Sequence, residues 1–373
     1  MARWLFLILT CGQLAFAAGK GSTMPWQNSP LDERGCALRI RFSIHSSLPP
    51  IDEITCSGTM INSHVFLTAA HCFNMIPPPL TSLFYVQCPG GRNADVREIF
   101  VHPGYDGKIG EGEIDPSIIR SRNSKFDAAL VVTSRLPISQ VAFAKANESD
   151  QLLNRNECQI LGYSPLRCDT NNKNCAKAVP IDLHGVTRDF INSKSVQLEV
   201  GDSGAGLFCS DNGDRHKFVG IAVSEDLKHG YVRLENIQDF IRTVLAGNYP
   251  KPRHYSQNYL ETIQNYIWLK LALGQGVEKS NQVNIEHFTR PFSIYNSVLS
   301  ILRTYMEKHP ELIKKMRDEK IGFQIYDAKQ INRQAGETKS IEKNCFHDGR
   351  TCWINILSDL TIEQATVFFQ AFY

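Results

Sequence analysis

The sequence predicts an all-β domain followed by a smaller, mainly α-helical C-terminal domain, and three observations carry that prediction. From about Cys36 to Tyr231, short apolar or alternating segments are separated by clusters of Gly, Pro, Asn and Asp. From Asn236 the hydrophobic period becomes that of a helix, and beyond Pro250-Lys251-Pro252 helical spacing dominates. The length of 373 residues also favours two domains. The boundaries are placed at 1–17 for a signal peptide, 33–248 for the β domain and 253–373 for the helical one.

The N-terminus carries Arg3, a continuous apolar run from Trp4 to Leu9, and the small residues of Ala15-Phe16-Ala17. This is the order of a secretory signal peptide cleaved after Ala17. The apolar core is too short to be a membrane anchor. Lipid attachment at Cys11 is the alternative, although Thr10 fits a lipobox poorly. Export to an extracellular or periplasmic space, without stable membrane insertion, is therefore expected. A formal net charge of +2 favours neither nucleic acid nor a polybasic membrane contact. At 42% hydrophobic and 21% charged, the composition excludes a disordered or fibrous chain.

The β segments include Ala37-Leu38-Arg39-Ile40-Arg41-Phe42, Val65-Phe66-Leu67, Ala128 to Val132, Gln159-Ile160-Leu161 and Phe218 to Val223. Many short strands with frequent turns suggest a barrel or a sandwich. Ile237, Phe240, Ile241, Val244 and Leu245 then share one helical face, with Gly247 as a stop. Leu260, Ile263, Ile267 and Leu271 fall at helical spacing, as do Phe292, Tyr295, Leu299, Leu302 and Met306. Pro310 to Lys320 reads as a solvated helix with a narrow apolar side. Thr361 and Gln364 form a capping box before the last helix. No motif in this second domain announces chemistry.

Without Cys11 ten cysteines remain, an even number, as a disulfide framework requires. Cys345 and Cys352 flank Asp348-Gly349, a turn dipeptide, and are expected to close a small loop. Cys168 and Cys175 enclose a polar loop and are expected to pair locally. A metal site from Cys168, Cys175 and His184 is conceivable, but an oxidising compartment favours the disulfide. No metal and no cofactor are expected.

Three segments carry the functional signal. They are Cys56-Ser57-Gly58-Thr59-Met60-Ile61-Asn62 with Leu67-Thr68-Ala69-Ala70-His71-Cys72, then Phe126-Asp127-Ala128-Ala129-Leu130-Val131, then Gly201-Asp202-Ser203-Gly204-Ala205-Gly206-Leu207-Phe208-Cys209. In that order they resemble the chymotrypsin-like (trypsin-family) serine proteases. Val101-His102-Pro103-Gly104-Tyr105, the Gly220-Ile221 strand, the Tyr231 to Leu234 strand and the closing helix extend the resemblance to roughly Cys36–Gly247. The resemblance implies a chymotrypsin-like double β-barrel and a secreted serine endopeptidase acting on protein or peptide substrates.

It also implies roles. A serine hydroxyl is a poor nucleophile until an imidazole removes its proton. The resemblance makes Ser203 the nucleophile, His71 the base and Asp127 the group that orients the imidazole. It places the oxyanion hole at the N–H groups of Gly201 and Ser203. It pairs Cys56 with Cys72 and Cys158 with Cys209, and elimination leaves Cys36 with Cys88. His102 occupies a strand-end position in the motif, not that of the base. An α/β-hydrolase fails on two counts: Ala205 replaces the last glycine of Gly-x-Ser-x-Gly, and that fold runs Ser, acid, His.

Four features depart from the family. There is no Ile-Val-Gly-Gly start whose freed amine would pair with Asp202, so the protein either folds directly into an active form or uses another cation. Gln197 stands six residues before Ser203, where trypsin-like members carry Asp, which argues against a P1 Arg or Lys. Glu199 replaces a family cysteine beside this pocket and either adds some basic preference or points to solvent. An ungapped match puts Val223 where many members have a Ser that bonds the catalytic Asp, and a one-residue insertion would assign Ser224 there instead. Two other functions compete: a catalytically silent homologue acting as a binding module, and an esterase on the same fold. The C-terminal domain could recruit substrate, restrain the active site through an intramolecular contact, or serve as a structural appendage.

Overall fold

The computed structural model describes residues 34–43, 45–46, 50–74, 76, 78–105, 125–154, 157–163, 177–193, 198, 201–211, 215–223, 230–250, 256–273, 283–285, 296–326, 341–345, 352–357 and 361–370. Residues 1–17, where a signal peptide is expected, lie outside them, as do Gln197, Glu199, Ser224, Phe292, Tyr295 and the Cys168–Cys175 loop. So do the side chains of His184, Cys345 and Cys352.

Six strands close the first barrel: β1 (Gly35–Phe42), β2 (Ile51–Met60), β3 (Val65–Thr68), β4 (Phe84–Cys88), β5 (Arg92–Val101) and β6 (Ala129–Thr133). Their order is β1-β2-β3-β6-β5-β4, with β4 returning to β1, so no edge is left open. The first four residues of β5 that follow Arg92 already alternate outward and inward, and Leu38, Ile40, Phe66, Val86, Ile99 and Val131 fill the interior. The Cys36–Cys88 disulfide ties β1 to β4.

The second sheet has seven strands and curls into a barrel-like form. It contains β7 (Cys158–Gly162), β8 (Lys177–Ile181), β9 (Leu183–Val186), β10 (Phe190–Ser193), β11 (Gly206–Asp211), β12 (Arg215–Ala222) and β13 (Tyr231–Arg233). The order is β8-β7-β11-β12-β13-β10-β9. Its core is built from Ile160, Leu207, Phe208, Phe218, Ile221 and Tyr231. Register places Cys158 opposite Cys209, and the two are joined. Two β-barrel-like sheets thus form the chymotrypsin-type double barrel that the sequence implies. Helix α1 (Ala146–Asn154) lies between the two sheets in sequence. Helix α2 (Leu234–Leu245) closes the unit and buries Ile237, Phe240, Ile241 and Val244. It ends where expected. Gly247 sits at φ 77°, and the amides of Gly247 and Asn248 return to the carbonyls of Val244 and Thr243.

Helices follow C-terminally, as the sequence predicts: α3 (Gln257–Ala272), α4 (Asn296–Lys308), α5 (Pro310–Asp318) and α6 (Ile362–Gln370). Ser256 caps α3 by accepting the Tyr259 amide, and Thr361 and Gln364 form a reciprocal capping box at α6. The helices accompany a four-stranded sheet that the helical spacing does not announce. It consists of β14 (Val283–Ile285), β15 (Ile321–Tyr326), β16 (Ile341–Cys345) and β17 (Cys352–Leu357), in the order β14-β15-β17-β16. Phe323, Ile325, Ile354 and Ile356 are buried with Leu302, Met306 and Phe369 from the helices. Strand β15 alternates Ile321, Phe323 and Ile325 with Gly322 and Gln324, a period-two pattern of only six residues. The β16–β17 register sets Cys345 opposite Cys352. Among the described residues no helix is long and apolar enough to cross a membrane.

Candidate active site

His71 sits in a 3₁₀ turn, Ala70–Phe73, immediately after β3. That turn is fixed from two sides. Cys72 is bonded to Cys56 of β2, with Cα atoms 6.3 Å apart, and Phe73 is buried in the first barrel. Asp127 stands two residues before β6, which pairs with β3 along Thr68–Ala129. That pairing sets the carboxylate beside the imidazole. His71 Nδ1 lies 2.7 Å from Asp127 Oδ2, and the His71 main-chain N–H donates to Asp127 Oδ1 at 2.9 Å.

Asp127 is only 3% exposed, so its charge has left water and is met by two donors from one residue. The imidazole side chain keeps 14% exposure, which leaves it reachable. Nδ1 therefore donates to the carboxylate, and Nε2 is left as the acceptor.

Ser203 lies in a turn that leads into β11. Two glycines allow the turn: Gly201 at φ 98° and Gly204 at φ 84°, backbone that L side chains rarely adopt. The turn is pinned by Ala205 N–H to Asp202 O at 2.8 Å and by Gly204 N–H to Ala222 O at 2.7 Å. It is pressed against the histidine segment. A Cβ on Gly204 would overlap Thr68 Oγ1 and the Ser57 carbonyl, and would lie 2.8 Å from the Ala69 nitrogen. The Ser203 turn and the residues just before His71 are thus in backbone contact. Ser203 itself is partly exposed.

Ser57, on β2, joins the two barrels beneath this turn. Its N–H donates to Ser203 O at 2.8 Å, and its carbonyl accepts from Thr68 Oγ1 at 2.7 Å. Its hydroxyl donates to Gly201 O and accepts from Tyr163 N–H, both at 2.6 Å. The segment Cys56 to Asn62 carries the family resemblance as a whole, and nothing in it signals this role for Ser57. The partner Gly201 is 144 residues away. Asp202 is fully buried, and its carboxylate packs over Gly162, where a Cβ would come within 2.8 Å of Oδ1.

Of the pocket residues, Gln197 is outside the described set. Val223 is buried and donates its N–H to Gly230 O at 3.0 Å. Leu198, next to Gln197, is buried near Gly230. His102 has a structural environment. It stacks on Phe126 at 4.6 Å, meets Phe240 edge-on, and accepts the Gly104 N–H at Nδ1. Burial lowers its pKa to about 4. Cys56, His71 and Cys72 bring three metal-ligand atoms within 4.8 Å, but the two sulfurs are bonded to each other and are closed to a metal.

Residues 29–241, more than half of the chain, match the family model described as Trypsin.

Proposed function

The chain belongs to the trypsin family, and on that premise we propose that it is an active serine endopeptidase with His71, Asp127 and Ser203 as its triad. The observation that carries the reading is the pair of hydrogen bonds between His71 and Asp127, Nδ1 to Oδ2 at 2.7 Å and main-chain N–H to Oδ1 at 2.9 Å, beside a glycine-framed serine turn. In the proposed mechanism Ser203 Oγ attacks the scissile carbonyl while His71 Nε2 takes its proton. His71 then protonates the leaving amine, and water repeats the sequence on the acyl-enzyme. Asp127 holds the imidazole in the tautomer that carries its proton on Nδ1 and stabilises the imidazolium. The N–H groups of Gly201 and Ser203 receive the oxyanion, and one such donor is worth about 10²–10³ in rate.

Substrates are proteins or peptides, and Gln197 in place of a pocket carboxylate directs the enzyme away from P1 Arg and Lys. Residues 1–17 export the protein, the protease domain occupies 33–248, and 253–373 form the C-terminal domain. That domain contacts the protease domain. In support, buried apolar side chains of the first barrel and of α3–α6 form one continuous cluster. The Cys168–Cys175 and Cys345–Cys352 bridges complete the disulfide set.

The test is fluorophosphonate labelling and peptide turnover of the secreted protein against Ser203→Ala. Labelling should vanish and turnover fall by about 10³–10⁶-fold. Undiminished hydrolysis in the mutant, or wild-type protein that never labels, would overturn the reading and favour a silent homologue. Peptide cleavage in excess of small-ester turnover separates the endopeptidase from an esterase.

A further inference from the structure

We infer that the Ser57 hydroxyl is a positioning group for the oxyanion-binding turn, holding it in working shape from inside the protein. The inference rests on the serine endopeptidase reading above. Ser57 is 0% exposed, so its hydroxyl is no candidate for substrate contact. It accepts the Tyr163 N–H at 2.6 Å, which leaves its single hydrogen for the Gly201 carbonyl, also at 2.6 Å. Donor and acceptor are therefore both engaged, and the direction of each bond is defined.

The consequence follows from the peptide planes. The two proposed oxyanion donors, Gly201 N–H and Ser203 N–H, belong to the planes between residues 200 and 201 and between 202 and 203. Ser57 grips the other two. Its hydroxyl holds the 201–202 plane through Gly201 O, and its main-chain N–H holds the 203–204 plane through Ser203 O at 2.8 Å. Every second plane of the turn is tied to β2, so the intervening N–H groups are aimed by their neighbours. Gly201, at φ 98°, has no side chain to resist rotation and depends on such an external tie. Tyr163 follows β7 of the second sheet, so the tie also fixes the turn relative to both barrels.

The tie is made from within the chain by a neutral, buried hydroxyl.

The experiment uses the secreted full chain with Ser57→Ala and Ser57→Gly. Both keep the main-chain bonds to Ser203 and Thr68; Ser57→Ala removes only the hydroxyl, and Ser57→Gly removes Cβ with it. The measurements are kcat, KM, the fluorophosphonate labelling rate and the thermal midpoint. Two buried groups, Gly201 O and Tyr163 N–H, lose their partner, so kcat and labelling rate should fall about tenfold or more in both variants. KM should stay within about twofold, because substrate binding does not use the hydroxyl. A purely structural hydroxyl would instead lower the thermal midpoint and leave kcat per folded molecule unchanged, and that result would overturn the inference. Failure of both variants to fold would also overturn it, by assigning the hydroxyl to fold stability. Wild-type protein that does not label defeats the protease reading itself, whereas labelled wild type with equally reactive variants defeats only the role of Ser57.

Discussion

Replacing Asp127 with Asn changes a single atom, and the structure says why the effect should be large. The carboxylate accepts two bonds from His71: Oδ1 from the main-chain N–H at 2.9 Å, and Oδ2 from Nδ1 at 2.7 Å. Asn has one acceptor oxygen. The main-chain N–H can only donate, so the Asn oxygen must remain with it. The Asn NH₂ then faces Nδ1 at hydrogen-bond distance, and two N–H groups cannot face each other. The imidazole is forced to bare Nδ1 and carry its proton on Nε2, the atom that must accept from Ser203. The negative charge that would stabilise the imidazolium is lost as well. A tautomer swap in a triad of this geometry costs about 10⁴ in kcat, or roughly 5.5 kcal/mol of transition-state stabilisation. Stability should change little, because the number of hydrogen bonds is conserved. The assay is kcat on an active peptide substrate, normalised by folded protein, with NMR of the His71 ring nitrogens reporting the tautomer. Activity within about tenfold of wild type, or a proton still on Nδ1, would refute the reasoning.

Two further perturbations test the frame around the site. Gly204→Ala puts a methyl at φ 84° into the Ser57 carbonyl and Thr68 hydroxyl; strain and overpacking together should cost about 2–5 kcal/mol, seen as a lower urea midpoint at unchanged m, and wild-type stability would sink the argument. Burial lowers the folded-state pKa of His102 to about 4, against an ordinary histidine value of 6.5. The unfolded chain therefore binds the extra proton first, so stability is full above about pH 6.5 and falls as pH drops toward 4. The ceiling is about 3 kcal/mol, and partial solvent access reduces it to about 1–2 kcal/mol. An NMR titration that put the His102 midpoint near 6.5 would contradict it.

Much of the site was legible in the sequence because catalysis needs particular residue types in local motifs. His71 beside Cys72, Asp127 before a strand, and Ser203 between Gly201 and Gly204 are such motifs. The disulfides Cys56–Cys72 and Cys158–Cys209 followed from the resemblance those motifs carry, and Cys36–Cys88 from elimination. Helices announced themselves by period, as at Ile237, Phe240, Ile241 and Val244, and by caps, as at Thr361 and Gln364. The short strands of the C-terminal sheet did not. They are only three to six residues long, and the parallel partners β14, β15 and β17 lie tens of residues apart in the chain.

What only the tertiary structure decided is which groups hold the Ser203 turn. The sequence by itself determined that a histidine, an aspartate and a serine with the right neighbours exist in order within a disulfide-bonded β domain. It left Ser57 as one residue in a motif, because a hydroxyl's role depends on the groups that fold around it. Here those groups are Gly201 O and Tyr163 N–H, 144 and 106 residues along the chain. Hydrogen bonds of that separation leave no local pattern, since each partner contributes only a peptide unit that every residue possesses. Packing of the second sheet against the first barrel brings them within 2.6 Å of one hydroxyl, and burial makes that meeting matter.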